Sequence, residues 1–301
     1  MGDVFPRGVA FINDGFVDIS EAKISILDWG FLRSDATYDV VHVWEGRFFL
    51  LDKHIDRFFN STKKLKMPCK TSKEELKKIL ATCVERSGLK NAYVEMIQTR
   101  GMSPTFDRDP RASIPNFMAF AIPFSWILRP EEINSGINVA ITNVKRIPPN
   151  SIDPTIKNYH WLDLVRGMYE AFDMGCQTGL LVDEKNNVLE GPGFNVFALC
   201  EDTLISPPSG ILEGITRWSV IEISKQLKIP FRLVSLSKKT LGFSKEVFIT
   251  STAGGVMPVT KINNKKIGSG SMGPVTKKIY DFYWKKHKDP VWSNSVKEFL
   301  K

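Results

Sequence analysis

Apolar stretches near the amino terminus are short, partly alternating and separated by turn residues, a pattern that predicts β-hairpins. The segment VAFINDGFVDI turns at Asn13-Asp14-Gly15, and YDVVHVWEGRFFLL turns at Glu45-Gly46. Residues such as Asn, Asp and Gly between apolar runs are typical of tight hairpin turns. We therefore expect the chain to begin with antiparallel strands.

Apolar residues then recur at helical spacing in two consecutive segments. In DKHIDRFFNSTKKLKM they include Ile55 and Phe58, and SKEELKKILATCVERSG opens with Ser72 and Glu75 in capping-box positions and stops at Gly88. A capping residue before the apolar pattern and a glycine after it mark the two ends of a helix. Two successive helices are predicted.

Strands and helices are mixed along the rest of the chain without strict alternation. AYVEMIQTR, NFMAFAIPF and INVAITNV predict strands, and WLDLVRGMYEAFDMG and GPVTKKIYDFYWKKHK predict helices. This mixture indicates an α+β fold with two α/β domains. Because the pattern loosens over residues 123–136, we expect a small amino-terminal domain over 1–122, a linker over 123–136 and a larger domain over 137–301.

The composition, 43% hydrophobic and 25% charged, is that of a globular protein. No apolar run approaches the roughly 18–20 residues of a membrane helix. The first residues lack the basic flank and apolar stretch of a secretory signal. We therefore expect a cytoplasmic protein with no membrane partner.

Cysteine spacing and charge distribution argue against a metal site and a nucleic-acid partner. The cysteines lie far apart with no C-x-x-C pair, which predicts free, buried thiols and no bound metal. The net charge of +8 is spread along the chain, and the lysine run at 285–289 is interpreted as a solvated helix end. A nucleic-acid partner would need that charge on one face.

Lys157 and Glu190 are candidates for cofactor chemistry. Lys157 follows a Pro-rich loop and precedes a predicted helix in SIDPTIKNYHWLDL, where a lysine could hold an aldehyde as an imine. Glu190 in VLEGPGFNVFAL lies between apolar strands, where a carboxylate needs a partner such as a protonated ring nitrogen. Taken alone, the two segments favour the simpler interpretations, an ordinary surface lysine and a solvated turn glutamate.

A third set of residues is suited to a phosphate group. Ile215 and Thr216 in GITRWSV lie at a predicted helix start, where backbone N–H groups favour an anion. Thr252 lies in the small-residue loop STAGGV, and Arg57 offers a planar guanidinium. The alternatives are a helix cap, a turn and a solvent-exposed arginine.

Together and in this order these segments resemble the class IV, fold-type IV pyridoxal-phosphate aminotransferases. The resemblance extends from about residue 8 to about residue 283 and includes ISILDWGFLRSDATYDVVHVWEGRFFLLDKHIDRF, YVEMIQTRG, RIPPNSIDPTIKNYHWLDLVRG, LEGPGFNVF, GITRWSV and TSTAGGVMPVT. The family includes branched-chain aminotransferases, D-amino acid transaminases, aminodeoxychorismate lyase and (R)-selective amine transaminases. Its members work as homodimers, which implies the same here.

The resemblance implies a role for each candidate in binding pyridoxal 5'-phosphate, mainly in the larger domain. Lys157 would be the Schiff-base lysine and proton carrier, and Glu190 would pair with the pyridine nitrogen. The phosphate would be held by Arg57, Ile215, Thr216 and Thr252. Phe194 and Asn195 would line the cofactor site, with Trp161 close by and Ala253 on the substrate side. Ping-pong transfer from an amine donor to a 2-oxo acid should follow.

Two strand segments resemble the (R)-selective amine transaminases most. SDATYDVVHVWEGRFF and YVEMIQTRG lack the Gly-containing and YIRP-like versions that are usual in branched-chain enzymes. Tyr38 and Val40 share one face of a strand, as do Tyr93 and Glu95, because side chains alternate with a period of two. These four residues would line the substrate pocket, although core positions would show the same spacing.

The carboxylate of a 2-oxo acid needs a cation, and the candidates are Arg108 and Arg111 in the loop MSPTFDRDPRASIP or Arg33 in GFLRSD. A loop arginine that moves in for an oxo acid and out for a bulky amine would explain dual recognition. The chain departs from the group at Arg33, where histidine is common, and in the loop sequence.

Three alternatives remain open at this stage. A branched-chain or D-amino acid transaminase would share all the cofactor residues, and an aminodeoxychorismate lyase-like enzyme would eliminate rather than transfer. A basic binding protein could retain the fold without the chemistry. Retention of the lysine, the glutamate and the phosphate residues together favours an active enzyme.

Overall fold

Turn and cap residues set the bounds of the elements in the computed structural model, which describes residues 5–301. Asn13 and Asp14 adopt left-handed φ angles of 51° and 59° in the first hairpin, and Glu45 and Gly46 adopt 49° and 75° in the second. Ser72 caps the second long helix through its side-chain oxygen. The structure confirms the predicted hairpins and this helix start.

The described residues form two units, and the first comprises those up to Ser125 together with Ile156–His160 and His287–Lys301. Its seven-stranded sheet is antiparallel and has the order β18-β4-β3-β5-β6-β1-β2. Its strands are β1 (Val9–Ile12), β2 (Gly15–Asp18), β3 (Ala36–Trp44), β4 (Arg47–Phe49), β5 (Ala92–Met102), β6 (Ile114–Pro123) and β18 (Ser293–Ser295). Its α-helices are α1 (Trp29–Arg33), α2 (Leu51–Lys64) and α3 (Lys73–Ser87).

The core of the first unit lies on one face of this sheet. Ile55 and Phe58 of α2 are fully buried in the same apolar cluster as Val41 of β3 and Val94 of β5. Since side chains alternate along a strand, this face takes the odd-numbered residues of β3 and leaves the even-numbered ones on the opposite face. Tyr38 therefore lies on the face away from the helices.

The second unit comprises Trp126–Thr155 and Trp161–Lys286. Its eleven strands form a mixed sheet with the main order β13-β12-β11-β15-β16-β7-β8-β9-β14, while β10 pairs with β11 and β17 with β16. The strands are β7 (Ile137–Lys145), β8 (Thr178–Val182), β9 (Asn187–Val188), β10 (Glu190–Gly191), β11 (Phe194–Cys200), β12 (Thr203–Ser206), β13 (Phe231–Leu233), β14 (Leu236–Ser237), β15 (Glu246–Ser251), β16 (Gly255–Ile262) and β17 (Lys265–Lys266). The α-helices are α4 (Leu162–Asp173), α5 (Ile215–Gln226), α6 (Lys238–Gly242) and α7 (Pro274–Lys285).

The mixed strands and helices confirm the α+β class. The chain passes from one unit to the other after Ser125, inside the range predicted as a linker. Two segments of the predicted carboxyl-terminal domain pack with the first unit instead, because β18 extends its sheet beside β4 and the backbone at Asn158 bridges to Thr37. Sequence patterns do not reveal such returns of the chain.

The helices and the lysine run at 285–289 can be compared with what the sequence predicts. Within residues 5–301 no helix combines the length and apolar content that crossing a membrane requires. The 285–289 run is only partly solvated, since the ring of His287 is buried and stacks on Phe49 with centroids 4.0 Å apart.

Candidate active site

The backbone of Lys157 is tied to one edge of β3 in the first unit. Its carbonyl accepts hydrogen bonds from the Tyr38 N–H at 3.0 Å and the Thr37 hydroxyl at 2.7 Å. This edge is open at Thr37 because β4 pairs only with Val43 and Trp44 of β3. The lysine therefore projects from a position set by the sheet.

The face of β3 that bears Tyr38 brings several predicted residues together with Lys157. The Lys157 Nζ lies 4.3 Å from the centroid of the Tyr38 ring. Val40 is directly opposite Glu95 on β5, and Tyr93 lies two residues before Glu95 on the same face. The structure thus groups Lys157 with the four residues predicted to line a substrate pocket.

Glu95 is buried on this face and is held by tyrosine hydroxyl groups. Tyr159 donates a 2.5 Å hydrogen bond to Glu95 Oε1, and its ring stacks parallel on Tyr38 with centroids 4.4 Å apart. Burial raises the pKa of Glu95, and hydrogen bonds from Tyr159 and Tyr93 together with the Lys157 charge oppose this rise. Burial, and then the Glu95 charge, raises the pKa of both tyrosines. Both hydroxyls therefore stay protonated and able to donate.

Arg57 is held from the helix side of the same strand by Asp39. The Arg57 Nε and Nη2 atoms donate to the two Asp39 oxygens at 2.7 and 2.8 Å, and His54 Nδ1 lies 2.8 Å from Oδ1. Burial alone would raise the pKa of Asp39, but the charge of Arg57 and the bonds from both partners hold it far below its usual range. Burial lowers the pKa of His54. Arg57 is thus a positioned guanidinium whose orientation is fixed by a buried anion.

In the second unit, Glu190 is a buried carboxylate with several donors. A tight turn pairs β10 with β11 and places Glu190 opposite Asn195, whose Nδ2 donates to Oε2 at 3.3 Å. The Leu212 N–H donates to Oε2 at 2.9 Å, and Arg146 Nε donates to Oε1 at 3.1 Å. Arg146 also donates to Asp163 at 2.6 Å. One guanidinium therefore donates hydrogen bonds to two carboxylates.

The start of α5 is suited to an anion. Gly214 precedes Ile215 without any side-chain cap, so the first N–H groups of the helix lack intrahelical partners. A Cβ at Gly214 would lie 2.1 Å from Asn195 Oδ1, so any larger residue would have to displace the Asn195 side chain or the backbone. On β15, opposite Asn195, the buried Thr250 hydroxyl has no hydrogen-bond partner within residues 5–301. These polar groups are those that a bound acceptor would satisfy.

The remaining predicted residues of the second unit lie around the β10–β11 and β15–β16 turns. Phe194 is buried at the start of β11, and the Trp161 ring lies 3.6 Å from where a Cβ on Gly193 would be. Thr252 and Ala253 form the turn after β15, where the Ala253 carbonyl accepts from the Ile127 N–H at 2.9 Å. Their assignment to a cofactor or substrate stays a prediction.

The arginines predicted to bind a carboxylate are all exposed. Arg111 is 89% exposed and pairs with Asp109 of its own loop at 2.6 Å. Arg108 is exposed in the same loop, and the Arg33 guanidinium lies over the Trp29 ring at 4.4 Å. Within residues 5–301 no hydrogen bond or ion pair joins Arg33, Arg108 or Arg111 to Lys157 or Glu95, and their role stays a prediction.

Sequence reasoning missed four residues that position the others, namely Asp39, Arg146, Asp163 and Tyr159, and it also missed the unsatisfied hydroxyl of Thr250. An acid within the apolar run YDVVHVW was a signal for Asp39, because a buried carboxylate demands a cation. Tyr159 lies two residues after Lys157, but its hydrogen bond to Glu95 spans 64 positions. Arg146 and Asp163 have no local signal, since their contacts depend on strand order.

Comparison with known proteins identifies similar chains over most of this length. Residues 36–262 match the family described as Amino-transferase class IV. The chain is 32% identical to a putative branched-chain-amino-acid aminotransferase of Methanocaldococcus jannaschii, over 89% of this chain and 93% of that protein. It is 28% identical to a D-alanine aminotransferase of Staphylococcus haemolyticus, over 90% and 95%. The solved structure of the T.th. branched-chain amino acid aminotransferase with pyridoxamine 5'-phosphate superposes with a TM-score of 0.90 at 28% identity, covering 98% of this chain and 100% of that one.

Replacing Arg146 with methionine should destabilise the second unit strongly. Methionine fills much of the same volume but removes the guanidinium from the buried Glu190 and the partly buried Asp163. This loss should lower the free energy of unfolding by about 3–5 kcal/mol. Urea denaturation at pH 7.5 measures this loss. Arg129→Met is the matched control, because the Arg129 side chain is 73% exposed, and it should change stability by less than about 0.5 kcal/mol. Equal small effects of both substitutions would contradict the assigned role of Arg146.

Proposed function

The chain belongs to the class IV amino-transferase family, and from that premise we propose that it transfers an amino group from an R-configured amine or D-amino acid to a 2-oxo acid. The transfer proceeds by a ping-pong mechanism with pyridoxal 5'-phosphate as cofactor. The observation that carries the proposal is the tether of Lys157 to β3, which places its amine beside Tyr38.

The donor groups in the structure fit a phosphorylated pyridine. The uncapped start of α5 and the unsatisfied Thr250 hydroxyl are suited to phosphate oxygens or to other acceptor atoms of a ligand. Glu190, a buried carboxylate that accepts a hydrogen bond from Arg146, is suited to a ring N–H. When bound, pyridoxal phosphate supplies an electron-accepting ring that weakens the bond between the donor carbon and its hydrogen.

We assign the protein residues to roles in holding that group. Lys157 is the point of covalent attachment, and Glu190 pairs with the ring nitrogen. The phosphate is bound by Arg57, Ile215, Thr216 and Thr252. Phe194, Asn195 and Trp161 line the cofactor site, with Ala253 on the substrate side. The tether of Lys157 and the fixed orientation of Arg57 by Asp39 support these assignments.

Lys157 Nζ is the group that moves the proton. With pyridoxal phosphate bound, the free amine of Lys157 would take the proton from the donor carbon and would deliver it to the carbon that carried the aldehyde of the cofactor. The Lys157 carbonyl accepts hydrogen bonds from the Tyr38 N–H and the Thr37 hydroxyl, which fix the backbone. The amine therefore moves only by rotations within its own side chain. The second half-reaction with the 2-oxo acid uses the same group in reverse.

The choice of donor rests on the residues around the lysine. Tyr38, Val40, Tyr93 and Glu95 share one face, and no arginine within residues 5–301 pairs with Glu95. Because the carboxylate of Glu95 lies on this face, the face suits a donor whose side chain carries no carboxylate. The resemblance of both strand segments to the (R)-selective amine transaminases supports an R-configured donor.

We also propose that the enzyme is a homodimer, in keeping with the resemblance. Large apolar side chains around α1 are exposed, including Ile26 at 73%, Phe31 at 64% and Leu32 at 50%. An exposed apolar patch of this kind favours contact with a second chain.

A second candidate function is supported by the relatives. The proteins from Methanocaldococcus jannaschii and T.th. carry the name branched-chain aminotransferase. An enzyme of that kind would act on L-configured amino acids with branched apolar side chains. The same lysine, glutamate and phosphate residues would serve both reactions, so substrate tests decide between them.

A donor panel tests the proposed function. Purified protein loaded with pyridoxal phosphate is given (R)- and (S)-1-phenylethylamine, D- and L-alanine and L-leucine, each with 2-oxoglutarate. The donors other than alanine are also tested with pyruvate, because alanine and pyruvate would only exchange with each other. We expect the R- and D-configured donors to react at least about tenfold faster than their mirror images, a difference of about 1.4 kcal/mol in activation free energy. Reaction of L-leucine with 2-oxoglutarate alone would establish the second candidate and contradict the first.

Substitution of Gly214 tests the phosphate site. In Gly214→Ala the new Cβ must displace Asn195 or the start of α5, so the dissociation constant for pyridoxal phosphate should rise about tenfold or more. Fluorescence titration of the apoprotein measures it. Gly242→Ala is the control, because its Cβ would meet nothing within 4 Å. A dissociation constant that is unchanged in Gly214→Ala would place the phosphate elsewhere.

A further inference from the structure

Glu95 is the buried carboxylate near Lys157 that has hydroxyl groups rather than a guanidinium as partners. It is 7% exposed and accepts the hydrogen bond of Tyr159. Within residues 5–301, Glu95 forms no ion pair with an arginine, a histidine or a lysine within 4 Å. Hydroxyl donors stabilise an anion without cancelling its charge. The field of Glu95 therefore acts on whatever approaches this face.

Tyr159 is built to hold that carboxylate in place. Its ring is locked by parallel stacking on Tyr38, with an angle of 1° between the planes. Its backbone belongs to the Ile156–His160 segment, which is tied to β3 through the Lys157 carbonyl. The Tyr159 hydroxyl is thus directed at Glu95 before any substrate binds.

We infer that Glu95, oriented by Tyr159, is the specificity-determining residue of this face and rejects any substrate that would place a second carboxylate against it. The inference rests on the proposed function, since it requires substrates to approach Lys157 along this face. Like charges repel strongly where water is excluded. The preferred acceptors are therefore 2-oxo acids with an uncharged side chain, and dicarboxylic 2-oxo acids are poor acceptors.

The rejection of dicarboxylic substrates should depend on pH, because it requires the ionised form of Glu95, and the groups around Glu95 set its pKa. The titratable groups that face it are Tyr93 on its own strand, Lys157 and Tyr159 on the 156–160 segment, and Tyr38 and His42 on β3. The charge of Asp39 also acts on Glu95, from the opposite face of β3. The pKa of Glu95 is raised, chiefly by burial. Rejection is therefore complete well above that raised pKa and fades as the pH falls through it.

Glu95→Gln tests the role of the charge. The glutamine oxygen still accepts from Tyr159, but the anion is gone. Two acceptors with the same number of carbons, 2-oxoglutarate and 2-oxopentanoate, are compared at pH 8 by kcat/KM. We expect the kcat/KM for 2-oxoglutarate, divided by that for 2-oxopentanoate, to rise about tenfold in the variant. The rise should come mainly from a lower KM for 2-oxoglutarate. A rise of less than about threefold overturns the inference.

Equilibrium binding gives a readout that does not depend on turnover. The unreactive acids glutarate and pentanoate are titrated into the loaded enzyme, and the ratio of their dissociation constants should shift toward glutarate in Glu95→Gln by a similar factor. Glu85→Gln is the control, because Glu85 is exposed on α3. An equal shift in both variants, or none in Glu95→Gln, contradicts the inference.

Tyr159→Phe tests the positioning role separately. Loss of the hydroxyl removes a hydrogen bond that lowers the pKa of Glu95, so this pKa should be higher in the variant. As the pH is lowered, the kcat/KM ratio of 2-oxoglutarate to 2-oxopentanoate should therefore begin to rise at a higher pH in the variant than in the unmutated protein. The control Tyr169→Phe changes a tyrosine that is 65% exposed on α4 and should leave the profile in place. A Tyr159→Phe profile that coincides with that of the unmutated protein would show that Tyr159 does not act through Glu95.

The two proposals fail in distinguishable ways. If no donor on the panel reacts with either acceptor, the proposed function is wrong, whereas glutarate and pentanoate binding still reports on Glu95. If 2-oxopentanoate reacts but the acceptor ratio is unaffected by Glu95→Gln, the aminotransferase function stands and the inference about Glu95 is wrong.

Discussion

The hydrogen bonds between the Lys157 carbonyl and the edge of β3 are the constraint on which the rest of the first unit's chemistry depends. They exist because β4 is too short to cover that edge, which leaves the Tyr38 N–H and the Thr37 hydroxyl available. The lysine therefore starts from a strand rather than from a free loop, and the sheet sets its position beside the Tyr38 ring. A reacting group built on rigid backbone keeps one arrangement, and the entropy of reaching it is lost during folding rather than during each turnover.

Asp39, Glu190 and Glu95 are buried carboxylates that are stabilised by two different kinds of partner. Asp39 in the first unit and Glu190 in the second each face a guanidinium, so their charges orient Arg57 and Arg146 and are largely cancelled by them. Glu95 instead faces tyrosine hydroxyl groups and keeps its charge directed outward. A guanidinium partner fixes the orientation of the arginine, whereas hydroxyl partners leave a negative charge that can repel a carboxylate of the substrate.

Local signals in the sequence accounted for the hairpins, the long helices, the α+β class and the grouping of Tyr38, Val40, Tyr93 and Glu95 on one face. These features depend on residues close in sequence or on strand periodicity. The return of residues 156–160 and 287–301 to the first unit depends on which strand edges remain unpaired, which only the folded chain defines. For the same reason, the bonds from Arg146 to Glu190 and from Tyr159 to Glu95 could not be predicted. The acid in the apolar run of β3 was a local signal that Asp39 needs a buried cation, but it was not used.

The central claim is that the amine of Lys157 carries the cofactor, and chemical fixation tests it most directly. Protein loaded with pyridoxal phosphate is reduced with borohydride, digested and sequenced by mass spectrometry. The expected result is a phosphopyridoxyl group on the peptide that contains Lys157 and on no other lysine peptide. A label on a different lysine, or no label on protein that has been saturated with the cofactor, would contradict the claim.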